Sequence, residues 1–136
     1  MQKQIFINLP VRDLKRSTAF YTAIGATLNP QFSDDTASCM VISDTIFVML
    51  LTHEKWAMFT KKPIVDAHRE SEVMLALSAE DKAAVDKITD AAGANGGKAD
   101  VNPKQDYGFM YGRSFEDVDG HIWECMYMDM SQFPKQ

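Results

Sequence analysis

The chain has 136 residues, 46% of them hydrophobic, with 14 Lys and Arg against 19 Asp and Glu for a net charge of −5. That length can close one core, and that hydrophobic content excludes a disordered chain. The acidic balance argues against nucleic acid or an anionic membrane surface as a partner, and no apolar run approaches the roughly 20 residues of a membrane span.

Met1-Gln2-Lys3-Gln4 runs straight into a strand and lacks the form of a signal peptide. The two cysteines, Cys39 and Cys125, fall in strand-like segments. Free buried thiols in a cytoplasmic protein are therefore expected. The first strand is predicted at 4–9, with Ile5, Ile7 and Leu9 on one face and Phe6 and Asn8 on the other. Pro10 ends it. Asp13 is placed to cap a helix over 14–24, whose apolar stripe uses Leu14, Ala19 or Phe20, and Ala23 or Ile24, and Gly25 closes it. Strands follow at 27–33, 38–43 and 46–52. The last is almost wholly apolar, so both faces should be covered, with Met49 and Leu51 toward the helix. Residues 54–71 read as a linker with a short arm carrying Trp56, Met58 and Phe59.

The order then repeats. A strand is predicted at 72–77, a helix at 79–92 capped by Ser78 with Asp81 in support, and Gly93 closes it. Strands follow at 98–101, 107–116 and 121–128, the last two joined by a tight turn at Asp119-Gly120. Leu9 to Asp13 aligns with Leu77 to Asp81 at an offset of 68, which also carries Gly25 onto Gly93. The reading is α+β: two tandem βαβββ modules in a single domain of 1–136, as module one (1–53), linker (54–71), module two (72–130) and tail (131–136). Helices outside and mixed sheets curled inward would leave a cup.

The last strand carries the most informative residue. Ile122, Glu124, Met126 and Met128 share one face, while Trp123, Cys125 and Tyr127 share the other. A carboxylate among apolar neighbours is costly without a partner, so Glu124 is the candidate catalytic or ligand-orienting group. Arg113, on the preceding strand, is expected to stack or to pair with Glu124 or Glu116, with a snorkelling arginine as the alternative. His53, His68 and His121 are scattered, and His121 alternates to the face opposite Glu124. Cys125 should pack under the helices rather than act as a nucleophile. Met74, Met126 and Met128, with Phe6 and Ile122, would make an apolar cavity around Glu124.

Val11-Arg12-Asp13-Leu14 through Ser17, Phe20-Tyr21 and Gly25, followed by the closing stretch from Phe115 to Glu124, resemble the vicinal oxygen chelate superfamily. That superfamily includes glyoxalase I, bleomycin- and fosfomycin-resistance proteins and extradiol dioxygenases. The resemblance implies a metal in the cup, held by inward positions on the first and last strand of each module. Those positions fall on Phe6, near Leu50, on Met74 and on Glu124, so one ligand of four survives. Phe, Leu and Met do not hold a hard or borderline cation. The expectation is therefore a homodimer without a metal site that binds, with turnover left open, a small organic molecule through Phe6, Asn8, Leu50, Met74, Arg113, Met126 and Glu124. The alternative is a divalent-metal glyoxalase-type lyase, isomerase or dioxygenase with substitute ligands such as His53. A non-catalytic metabolite-binding module is the third reading.

Overall fold

A computed structural model describes residues 1–132 of the chain. Residues 133–136, most of the predicted tail, lie outside the described residues. The chain divides into two compact units, with the boundary between Glu70 and Ser71. Each builds its own mixed sheet around one long helix.

In the first unit the elements are β1 (Ile5–Val11), α1 (Leu14–Ala23), β2 (Thr27–Asn29), β3 (Ala37–Val41), β4 (Ile46–Thr52) and α2 (His53–Ala57). The sheet order is β1-β4-β3-β2, with β1 parallel to β4 and the other pairs antiparallel. Asp13 starts α1 as expected: its backbone is extended and its carboxylate accepts from Arg16 N at 3.1 Å. Gly25 ends it at φ +113, while Gly25 N donates to Thr22 O and Ala26 N to Tyr21 O. That double bond pattern needs a left-handed residue past the helix, which glycine takes without strain.

Three expectations change here. The strand predicted at 27–33 stops at Asn29, because Pro30 opens a 3-10 turn and the Asn29 side chain accepts from Gln31 N at 3.0 Å. The linker at 54–71 begins with helix α2, capped by the Thr52 hydroxyl accepting from Lys55 N at 3.2 Å. The phase of β4 is also inverted. Ser38 faces α1, since its hydroxyl meets that of Thr18 at 2.8 Å. Leu50 pairs with Ser38 and with Leu9, so it lies on the α1 face, fully buried with Val48, Met40 and Val11. Met49 and Phe47 take the other face, beside Asn8 and Phe6 respectively.

In the second unit the elements are β5 (Met74–Ser78), α3 (Lys82–Ala94), β6 (Lys98–Ala99), β7 (Gln105–Asp106), β8 (Met110–Glu116) and β9 (Ile122–Met128). The order is β5-β9-β8-β6, with β7 also on β8. Val85 of α3 packs with Tyr111 and Cys125 of the sheet, joined by Ala79, Ile88 and Tyr127. Phe115 and Trp123 are cross-strand partners with near-parallel rings 6.5 Å apart.

Here too the repeat is less exact than the sequence offset. Asp81, not Ser78, caps α3, accepting from Ala84 N at 2.7 Å, and Ser78 closes β5. Gly93 sits inside α3, where an added Cβ would meet the Ala99 Cβ at 3.2 Å, so it serves close helix–sheet packing. Gly96, at φ +96, makes the turn that Gly93 was expected to make. The strand expected at 98–101 ends at Ala99, because Asp100 adopts φ +56. The strand expected from 107 starts at Met110, because Gly108 turns at φ +80 and Tyr107 N donates to Met110 O. No helix among the described residues is long and apolar enough to cross a membrane.

Candidate functional site

The hairpin β8–β9 fixes where Glu124 points. Asp117 organises its turn: the carboxylate accepts from Asp119 N at 3.0 Å and His121 N at 2.9 Å, and Gly120 takes φ +92. Asp117 is only 2% exposed, so this cluster of bonds is protected from solvent. The register it sets places Ser114 opposite Glu124, Gly112 opposite Met126 and Glu116 opposite Ile122. Across the other edge of β9, Ala76 lies beside Glu124, Met74 beside Ile122 and Ser78 beside Met126. Met74, Ile122, Glu124 and Met126 therefore share the face of the module-two sheet opposite α3, as alternation along two strands leads one to expect.

That face forms the floor of a cleft of about 500 Å³. Met74, Glu124 and Met126 lie on the floor with Gly112 and Ser114. Residues 102–105 and Tyr107 make its wall. The Gly112 backbone leaves room: a Cβ added there would come no nearer than 3.7 Å to the Met126 Cβ and the Cys125 carbonyl. Glu124 is half-buried, and its carboxylate has no hydrogen-bond or ion-pair partner among the described residues.

The wall is tied down by β8. Asp100 N donates to Ser114 O at 2.7 Å, and Asn102 N donates to the Ser114 hydroxyl at 2.8 Å. Arg113 completes the anchorage. Its Nε and Nη2 grip both carboxylate oxygens of Asp100 at 3.0 and 2.8 Å. Nη1 donates to Asp86 at 2.9 Å, and Nη2 lies 3.1 Å from Asp90. The Arg113 side chain is 9% exposed, so the desolvated guanidinium is held by three charges and a two-pronged fork. The expected pairing with Glu124 or Glu116 is thus corrected: Arg113 pairs across to Cys125 and faces α3, while Glu124 faces away from it.

The same network sets several charges. The Tyr111 hydroxyl donates to Asp86 at 2.6 Å, which, with the Arg113 guanidinium, holds the Asp86 carboxyl below the usual carboxylate range. The same bond pushes the Tyr111 phenol up. Arg113 holds Asp100 down likewise. Its own guanidinium is driven further up by Asp100 and the other two aspartates. Burial pushes the Cys125 thiol up to about 11 and raises Cys39 as well, so neither is a ready nucleophile.

The other expected site residues divide. Phe6 and Asn8 are exposed on the face of the module-one sheet opposite α1, with the Phe6 ring stacked on Phe47 at 4.8 Å. Leu50 lies under α1 and is displaced on that face by Met49. His53 opens α2 and is exposed, as is His68. The positions that the resemblance assigns to a metal therefore hold a phenyl ring, an alkyl or thioether chain, a thioether and one carboxylate. Among the described residues no group of three or more His, Cys, Asp or Glu is disposed to hold an ion. This donor set does not fit a divalent metal. Residues 100–107 were not legible as part of the site; their anchoring side chain, Arg113, was the one available signal.

No curated protein matches the sequence significantly. Among solved structures, a hypothetical protein from S. aureus is 26% identical, covering 93% of this chain and 95% of that one at a TM-score of 0.76. A glyoxalase/bleomycin resistance protein/dioxygenase family enzyme from Burkholderia phytofirmans aligns at 18% identity and a TM-score of 0.73, covering 93% and 99%. A fosfomycin resistance protein from Mesorhizobium loti aligns at 20% identity and 0.68, covering 97% of each chain. The family profile described as the Glyoxalase/Bleomycin resistance protein/Dioxygenase superfamily matches residues 3–125, and the chain belongs to that superfamily.

Proposed function

We propose that this protein binds a small organic molecule in the module-two cleft, over Glu124, without a catalytic metal ion. The observation that carries the reading is Glu124 itself: a half-buried carboxylate without a hydrogen-bond or ion-pair partner among the described residues, set on a floor of Met74 and Met126 in a cleft of about 500 Å³. Such a cleft is sized for a small ligand, with one polar group to orient it and adaptable thioethers to fit its body. Where the bound molecule presents an acidic proton to it, Glu124 is the group placed to take that proton, which is the route from binding to turnover. We place this activity in the cytoplasm and in a homodimer, the arrangement the family resemblance implies; sedimentation of the purified protein tests the latter.

The experiment is a metal analysis of protein purified without chelator, paired with a thermal-shift screen of small organic molecules. The expected outcome is well under one transition-metal ion per chain, and stabilisation by at least one organic compound that chelator does not remove. One tightly held Zn, Ni, Mn or Fe per chain, lost in Glu124→Gln, would overturn the proposal and favour the metal-dependent lyase or dioxygenase.

A further inference from the structure

Two cationic side chains contribute to the lining of the module-two cleft, Arg113 and Lys104, and both are committed elsewhere. The Arg113 guanidinium is occupied by Asp86, Asp90 and Asp100 on the α3 side of the sheet. The Lys104 ammonium lies 5.6 Å from the centroid of the Tyr111 ring, which packs against Val85 of α3. Its charge acts on Asp86 and Asp100 there. Among the described residues, Glu124 is thus the one formal charge of the lining that no protein group answers. The Met74 and Met126 thioethers line the same cleft and, on the wall, so does Tyr107, which is 60% exposed and whose ring centroid lies 6.4 Å from that of Phe109. A carboxylate in a cleft that an aromatic ring and soft apolar groups also line suits a cation twice: the charge meets the acid, and the ring and thioethers take the adjoining carbon skeleton. An anion would meet Glu124 while both lining cations are drawn to the acids on the α3 side, on a chain already carrying a net charge of −5.

Resting on the binding reading above, we infer that the ligand class is a small organic cation, an amine, amidine or guanidine joined to an apolar body, with its charged end on Glu124. Neutral alcohols of the same shape bind more weakly, and carboxylates are rejected.

The test uses three probes that share a phenyl group and a short chain: phenethylamine, phenethyl alcohol and phenylacetate. Each is titrated into the full-length protein and followed by amide proton–nitrogen correlation spectra. The expected result is shifts centred on Gly112, Ser114, Glu124 and Met126 with the amine, at an affinity about tenfold above the alcohol, since a charge-assisted bond is roughly twice as strong as a neutral one. Phenylacetate should leave those signals unmoved. Glu124→Gln, which breaks no hydrogen bond or ion pair among the described residues, should bring amine and alcohol to within about twofold of each other. Equal binding of all three probes in the cleft, tighter binding of phenylacetate, or an amine preference that survives Glu124→Gln would overturn the cation assignment while leaving the cleft as a binding site. Millimolar probes that shift none of these signals would overturn the binding reading and the assignment with it.

Discussion

Arg113 shows how much of this site rests on one side chain that never touches the cleft's carboxylate. It is nearly buried, and it joins β8 to α3 through Asp86 and Asp90 and to the cleft wall through Asp100. Replacing it with alanine leaves three partly exposed aspartates facing one another. The expected cost is about 1–3 kcal/mol, less than for a fully buried pair because water still reaches the acids. Urea unfolding at neutral pH measures it. Arg113→Lys should recover only part, since an ammonium cannot make the fork with Asp100. The pH dependence has a definite sign. Asp86 and Asp100 sit below the ordinary carboxyl value of 3.8 in the folded chain. The unfolded chain therefore takes up protons first, so their contribution is present above that value and lost as the pH falls through the depressed ones. As the pH falls below 3.8, the native protein should lose more stability than Arg113→Ala does. The sequence pointed to Arg113 but not to its partners. Asp86 and Asp90 are spaced for one helix face, yet which face met β8 depended on a sheet order that local pattern does not carry.

At the scale of elements, β9 and β4 explain why half of the expected site was legible. In β9 a lone acid alternates with aromatic and thiol neighbours, and the tight turn beside it fixes the register, so parity placed Glu124, Met126 and Met74 on one face correctly. In β4 every residue from Ile46 to Leu51 is apolar. A strand with no polar residue has no phase to read, and Leu50 was assigned to the wrong side by one step, which reverses every side chain. The helix starts carry the other lesson of this scale. Ser78 and Asp81 flank the loop before α3, and only Asp81, the residue directly before the first turn, reaches a free amide, that of Ala84. Asp81→Ala should destabilise the protein by about 1 kcal/mol, whereas Ser78→Ala, at the strand end, should be near neutral. Thermal unfolding of the two variants separates the assignments.

For the whole molecule, the division at Glu70–Ser71 leaves residues 58–73 as the stretch with least regular structure between the two sheets. Lys61, Lys62 and Arg69 there are exposed. Trypsin at low dose should cut first after Lys61 and Arg69, the Lys62–Pro63 bond being resistant, and give two fragments of similar size before either sheet is attacked; mass spectrometry of the early products checks this. A scaffold shared by a dioxygenase-family enzyme and a fosfomycin resistance protein needs some place where its binding volume can change while the sheets stay as they are. Gly112 is such a place. Its backbone needs no left-handed conformation, and the space above it is open to 3.7 Å. Alanine should therefore leave the melting temperature unchanged or slightly raised, because glycine is a poor strand residue. Valine should fill the floor beside Met126 and turn away any occupant that lies flat there. Methyl by methyl, this one codon would retune the size of guest the chain admits, and a lineage could move between guests without ever risking its architecture.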